Sequence, residues 1–330
     1  MELIKEKMSQ QINVRTGRVR AVTTVDLYIK LLKSLHLCIF NEPMTDVYWL
    51  VDTEKVLGGL KEMNKSTMNN YLSAIIGGIE TLGNQQDAQI ETYRKKIAEN
   101  NSILASSAEE QKKTITEGDN WCKLKELQAV ASSYKRDLVR RKTFHKTADT
   151  ISGQERELLK KWLVTSLYTT DPVNNPPLRG DYANMKIISV GDFNKLEANA
   201  KNTNYLVIKS AHKKFFSLGK YKTVGTYGIK HIEVGKKLNG VLNKFLKLHN
   251  QEYLFYNCSG KTVLQAGAFG KFVSRAFEPC GKNITINLIR WILIAFIDYQ
   301  SLSSFDPPLV SQSRGIKERV TIHLAIQQYT

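Results

Sequence analysis

The chain has 330 residues, and its apolar fraction of 42% can fill one large core or two ordinary ones, which excludes disorder as a description of the whole. Its 48 lysines and arginines against 31 aspartates and glutamates give a net charge of +17, which favours a partner bearing phosphates or an acidic surface over a neutral metabolic substrate. The apolar run at 292–297 is too short to span a membrane, and the first residues lack a signal-peptide core. We therefore expect neither membrane insertion nor secretion by that route.

Four cysteines, Cys38, Cys122, Cys258 and Cys280, are widely spaced and form no C-x-x-C pair. This spacing predicts neither a zinc site nor a disulfide scaffold, and it fits a reducing compartment. The positive charge is uneven, because residues 1–145 hold 22 basic and 18 acidic residues whereas residues 146–330 hold 26 and 13. We expect the second part of the chain to attract a phosphate-bearing ligand.

Residues 1–23 show no clear period and carry three arginines, so they are predicted to form a basic arm. Helical spacing begins near Thr24, and further helices are predicted after Asp52 and after Ser66, with Gly83 as a stop.

Residues 84–119 are polar and charge-rich, which predicts a solvated helical hairpin or arm rather than a dimerising coiled coil. An amphipathic helix at 121–141 ends in a basic cluster. We therefore predict a helical domain over 24–145 with a charged excursion at 84–119.

A second domain is predicted over 146–330. It begins with an amphipathic helix at 155–168 and continues through a break rich in proline and asparagine, DPVNNPPLRGDY. Four short strand-like runs follow, MKIISV, NYLVIK, KKFFSL and IKHIEV, before helical periodicity returns. The predicted fold class is mainly α with a small β-sheet.

Common nucleotide, hydrolase and metal motifs are absent, but several cationic residues occupy special local settings. Arg179 follows a double proline, although a simple pair with Asp181 would also explain it. Lys222 lies between two strand-like runs, where a β-hairpin would carry it into a cleft and where a solvated lysine is the alternative. Arg290 interrupts an apolar helix, ITINLIRWILIAFI, and needs a partner there, either a phosphate, Asp298 or a backbone carbonyl.

The order and type of these residues resemble the tyrosine recombinase (phage-integrase-like) family, in particular the versions found in virophages, giant viruses and related mobile elements. PPLRGDYANMKI is similar to the first arginine box of that family, NYLVIKSAHKKFFSLGKYKTVGTYG to its strand pair with the hairpin lysine, and ITINLIRWILIAFI to the helix of the H-x-x-R box. KSTMNNYLSAIIGGIETL is similar to part of the helical core-binding domain. The resemblance implies a helical core-binding domain followed by a mixed α/β catalytic domain.

The resemblance also implies catalytic roles for Arg179, Lys222, Arg290, His323 and Tyr329. Tyrosine would be the nucleophile, the arginines would hold the phosphate, lysine would be the general acid, and histidine would orient the phosphate or the tyrosine. The histidine of H-x-x-R is Asn287 here, and an amide can hold geometry but cannot act as a base. His323 stands six residues before Tyr329, whereas the family spacing of eight or nine would fall near Thr321.

Basic residues from both predicted domains are expected to contact DNA phosphates. They are Arg15, Arg18, Arg20, Lys135, Arg136, Arg140, Arg141, Lys142, Lys213, Lys214, Lys220 and Lys230.

The leading hypothesis is a site-specific DNA recombinase or integrase that acts through a 3′-phosphotyrosine without a cofactor or metal. The alternatives are a type IB topoisomerase-like enzyme, an inactive recombinase-like DNA-binding protein and a viral packaging protein. Expected partners are double-stranded DNA and further copies of the chain, as a tetramer on two DNA sites, with no membrane. The expected location is a host nucleus, a viral factory or a prokaryotic cytoplasm.

Overall fold

The computed structural model describes residues 2–13, 17–83, 86–109, 115–172, 174–175, 177–257 and 259–296. The chain divides into two compact units, residues 1–110 and 111–330. Most described residues are helical, and a small mixed sheet lies in the second unit, which confirms the predicted class of mainly α with a small β-sheet.

The first unit contains five α-helices and a two-stranded ribbon among its described residues. They are α1 (Glu2–Gln10), β1 (Ile12–Asn13), β2 (Arg18–Val19), α2 (Val22–Phe40), α3 (Thr53–Leu60), α4 (Lys65–Ile79) and α5 (Asp87–Glu109). The core forms where α2 and α5 pack against the apolar face of α4, which includes Leu72, Ile75 and Ile79. Asp52 accepts a hydrogen bond from the Lys55 backbone and caps α3, as the sequence predicted. The cap of α4 is Asn64 rather than Ser66.

Two segments predicted to be solvated belong to this core. Residues 1–23 are not a plain arm, because α1 buries Met8 completely among the other helices. The excursion at 84–119 is not a solvated hairpin either, because α5 buries Ile90 and Tyr93, and the Tyr93 hydroxyl donates to the Leu50 carbonyl at 2.8 Å. A few well-placed apolar residues are enough to dock a helix that is polar on average.

The second unit contains eight α-helices and four strands among its described residues. The helices are α6 (Ile115–Asn120), α7 (Leu124–Arg140), α8 (Gly153–Thr169), α9 (Val190–Asn194), α10 (Val224–Tyr227), α11 (Lys236–Lys247), α12 (Ala266–Ala276) and α13 (Ile286–Phe296). The strands are β3 (Lys186–Ser189), β4 (Asn204–Ile208), β5 (Lys214–Leu218) and β6 (Lys230–Glu233). Within the described ranges, none of the helices combines the length and the apolar character that a bilayer crossing demands.

The domain boundary predicted at 145/146 is wrong, because α7 belongs to the second unit. Leu127, Val130, Tyr134 and Leu138 are buried against α8 and the rest of that core. The basic cluster that suggested a domain end is the solvent-facing side of α7. The boundary between the units lies at 110/111 instead.

The four predicted strands form one sheet in the order β3-β4-β5-β6, which is parallel between β3 and β4 and antiparallel elsewhere. Ile187, Leu206, Phe216 and Ile232 align across the strands and face the main core. On the opposite face, Val207 and Phe215 pack against Phe193 of α9. The alternation of these side chains sets the register, because a slip by one residue would exchange the two faces.

Candidate functional site

Arg179 lies in a loop after α8, and hydrogen bonds hold both its backbone carbonyl and its backbone N–H. The buried Tyr168 hydroxyl of α8 donates to the Arg179 carbonyl at 2.6 Å, and the Arg179 N–H donates to Asp181 Oδ2 at 3.1 Å. Tyr168 also makes an edge-on ring contact with Tyr182, at a centroid distance of 5.6 Å. The position of the Arg179 backbone is therefore set by the core rather than by solvent.

Arg290 lies on α13 and is 7% exposed, as expected for a charged residue in so apolar a helix. Its neighbours Leu288, Ile289 and Leu293 are core residues, and Arg290 Nε has no hydrogen-bond partner in the part of the chain that the structure describes. Burial lowers the pKa of Arg290 to about 10, and the positive charge of Arg179 adds to this shift. Both effects disfavour the charged form of the Arg290 guanidinium.

Asp181 is the carboxylate that both arginines act on. Burial raises the pKa of Asp181, while the Arg179 N–H and the charges of Arg179 and Arg290 oppose that shift. Asp181 is therefore a partly desolvated carboxylate on which both arginine charges act.

Beside this cluster lies an open cavity of about 570 Å³ whose lining includes Arg179, Asp181, Lys220 and Lys222. Lys222 and Arg179 therefore line the same cavity. As the sequence predicted, Lys222 lies between two strands, in the connection that joins the neighbouring antiparallel strands β5 and β6. The tight turn at residues 209–213 joins β4 to β5.

Asn204, which is buried at the start of β4, joins the two loops that carry these cations. Its Nδ2 donates to the Asp181 carbonyl at 3.0 Å and to the Lys220 carbonyl at 2.9 Å, and its Oδ1 accepts from the Lys220 N–H at 2.9 Å. The sequence did not single out Asn204, because an asparagine at a strand start carries no local signal. Asp181 was recognised only as a partner for Arg179.

The remaining predicted catalytic residues are not gathered here. Asn287 is exposed in the first turn of α13, and it is not among the described residues that line the cavity. His323 and Tyr329 lie outside the described residues.

Two of the predicted DNA-contacting residues are internal, which corrects their assignment. Arg20 donates to Glu80 at 2.7 Å with a largely buried side chain. Lys214 is 1% exposed and donates to the side-chain oxygens of Asn239 and Asn243. Burial lowers the pKa of Lys214.

The other predicted basic residues stay candidates for DNA contact where the structure describes them. Those exposed at the surface are Lys135, Arg136, Arg140, Arg141, Lys142, Lys213 and Lys220. Lys230 is half-buried, with its ammonium 4.9 Å from the centroid of the Tyr227 ring. The side chains of Arg15 and Arg18 lie outside the described part of the structure.

We expect Lys214→Ala to lower the free energy of unfolding by about 1–3 kcal/mol, because the amide oxygens of the buried Asn239 and the half-buried Asn243 on α11 lose their donor. Chemical denaturation checks this, with Lys213→Ala as the matched control. Lys213 is the exposed neighbour, and its replacement is expected to change stability by less than about 0.5 kcal/mol. Equal stabilities of the two variants would contradict the internal role of Lys214.

No family model and no curated protein matches the sequence. Among solved structures, the chain is similar to the crystal structure of XerA recombinase, with a TM-score of 0.37 and 10% identity over 98% of this chain and 93% of that one. A likeness at this level leaves the function to be inferred from the side chains.

Proposed function

We propose that the protein is a DNA strand transferase of the tyrosine recombinase type, which cleaves and rejoins DNA through a 3′-phosphotyrosine. The observation that carries the proposal is the buried Arg290, a cation whose Nε has no hydrogen-bond partner among the described residues. A phosphodiester would supply the acceptor that this guanidinium lacks, and guanidinium groups match its non-bridging oxygens.

In the proposed reaction, the Tyr329 oxygen attacks the phosphorus atom while its hydroxyl proton passes to solvent water, and the bond from phosphorus to the 5′ oxygen breaks. Lys222 gives a proton to the departing 5′ oxygen, and the arginines stabilise the charge that grows on the non-bridging oxygens. One phosphodiester is exchanged for another, so the 5′ hydroxyl of a partner strand can reverse the step without ATP.

The surface charge supports DNA as the substrate. Seven exposed basic residues of the predicted DNA-contacting set lie in the second unit, and the whole chain carries a net charge of +17. Phosphate contacts of this kind bind duplex DNA without reading its sequence and weaken as salt rises. Strand exchange between two sites would require several copies of the chain, for which we propose a tetramer on two DNA sites.

Asn287 favours the alternative of a recombinase-like protein that binds DNA but does not cleave it. If catalysis required a proton-exchanging side chain at that position, the protein would bind DNA without cutting it, because an amide does not titrate in the physiological range.

Trapping on suicide substrates tests the proposed function. Wild-type protein incubated with nicked duplexes is expected to give a denaturation-resistant protein–DNA adduct, and Tyr329→Phe is expected to give none because the nucleophilic oxygen is missing. Tyr48→Phe is the matched control, since Tyr48 is 69% exposed in the first unit and is expected to leave the adduct yield unchanged.

An adduct that survives in Tyr329→Phe contradicts the assignment of the nucleophile. Salt-sensitive DNA binding without any adduct identifies the DNA-binding alternative. Adduct formation with relaxation of supercoils but without recombinant products identifies the topoisomerase alternative.

A further inference from the structure

The cavity beside Arg179 has a part that the proposed strand transfer does not use. Besides the cations, its lining includes Tyr253, Val263, Gln265 and Ala266, which offer an aromatic ring, aliphatic surface and a primary amide. Phosphate binding requires none of these groups. Amide and apolar side chains are instead the ones that contact base edges.

The amide lies close to the phosphate-binding loop. A Cβ atom built on Gly180, the residue after Arg179, would be 3.9 Å from Cβ of Ala266. Gln265 immediately precedes Ala266 and is the N-cap residue of α12. Successive nucleotides of one strand rise by only about 3.4 Å, so the nucleotides that flank a phosphate at Arg179 lie near this glutamine.

Asn184 orients the Gln265 amide. Its Nδ2 donates to Gln265 Oε1 at 3.0 Å, which defines the side of the amide that carries the oxygen. Asn184 has a left-handed backbone with φ of 54°, a conformation that asparagine tolerates. Its own Oδ1 is shielded from solvent and has no hydrogen-bond partner in the described part of the chain.

We propose that Gln265, positioned by Asn184, reads the edge of a base next to the phosphate at Arg179 and selects adenine. With its orientation set, the amide offers the Nε2 donor and the remaining lone pair of Oε1 side by side. Adenine presents the complementary acceptor N7 and donor N6, whereas guanine presents two acceptors at the same edge. This inference rests on the proposed function, because it requires DNA in the cavity.

Selection of bound duplexes from a randomised pool by the full-length protein tests the inference. Wild-type protein is expected to enrich adenine at one position, by about 5- to 150-fold over the other bases. Gln265→Ala is expected to remove that enrichment while affinity for the unselected pool changes less than about threefold. Gln265→Arg is expected to move the preference to guanine, the base that arginine binds in bidentate fashion.

Gln154→Ala is the matched control, because Gln154 is exposed on α8 and is not among the residues lining this cavity. It is expected to leave the selected sequence unchanged. Asn184→Ala is expected to weaken the adenine enrichment without changing which position carries it, as befits a positioning residue.

The same base preference in wild type and Gln265→Ala, with DNA still bound, overturns the inference and leaves the proposed function intact. Failure of the wild-type protein to bind any duplex overturns the proposed function, and the inference fails with it. Retained adduct formation in Gln265→Ala on a good substrate separates base reading from the chemical step.

Discussion

Replacing Arg290 with alanine is expected to slow formation of the protein–DNA adduct by about 100- to 1000-fold, the loss typical of removing one donor to a developing oxyanion. The guanidinium is 7% exposed, and a cation in such a setting acts on a phosphate with little screening by solvent. Single-turnover trapping on a suicide substrate measures the rate. DNA binding is expected to weaken much less, because it depends on many surface contacts.

Two further variants sharpen this prediction. Arg290→Lys keeps the positive charge but loses the bidentate geometry, so we expect its rate to fall between those of alanine and wild type. Arg275→Ala removes an exposed arginine in the last turn of α12 and is expected to leave the rate unchanged. A near-normal rate in Arg290→Ala would mean that Arg290 is a structural residue and not part of the site.

Glu155→Gln is expected to lower the free energy of unfolding of the second unit by about 2–4 kcal/mol at pH 7. Glu155 is 4% exposed at the start of α8, where its carboxylate accepts from Lys146 Nζ at 2.7 Å, Thr143 Oγ1 at 2.8 Å and the Ser152 N–H at 3.0 Å. The glutamine cannot replace the charge, and its amide nitrogen would face donors. Chemical denaturation followed by tryptophan fluorescence checks the loss, since Trp162 lies in the core of this unit.

The same carboxylate gives the stability a defined pH dependence. The ammonium of Lys146 and the hydrogen bonds around the carboxylate lower the pKa of Glu155 to about 2, from 4.5 in the unfolded chain. Because the folded pKa is the lower one, the contribution is present above about pH 5 and is lost as the pH falls towards 2. In Glu155→Gln, the free energy of unfolding is expected to depend less on pH over that interval than it does in the wild-type protein.

Glu197→Gln, an exposed carboxylate of the same unit, is the control for this experiment and is expected to keep the wild-type pH dependence. An equally steep loss of stability in Glu155→Gln would assign the acid sensitivity to other carboxylates.

The sequence predicted the sheet well because the alternating pattern of a strand is contained within a few consecutive residues. In NYLVIK and KKFFSL, side chains two residues apart share a face, and both runs became neighbouring strands. The packing of α1 and α5 could not be predicted in the same way. Met8 and Tyr93 are buried by residues far away in the chain, and the apolar residues at helical spacing from them are too few to predict a buried face.

In the candidate site too, some residues could be recognised from their own segment of sequence and others could not. Arg179 and Arg290 were recognised because a cation beside a double proline or inside an apolar helix is unusual in its own segment. Asn204 and Gln265 were missed, because an amide acquires a role only from the loops that tertiary structure brings around it. Lys214 was misassigned, since it directly follows the exposed Lys213 and the sequence alone does not show which of two adjacent lysines is buried.

The position of Arg290 on α13 also has a consequence for biosynthesis. Arg179 is made 111 residues earlier, so at about 5–20 residues per second the ribosome takes roughly 6 to 22 seconds to supply the second arginine. Until α13 docks through Leu288, Ile289 and Leu293, the paired guanidiniums do not exist. A nascent chain that stops short of α13 therefore lacks one of the two arginines of the proposed phosphate site.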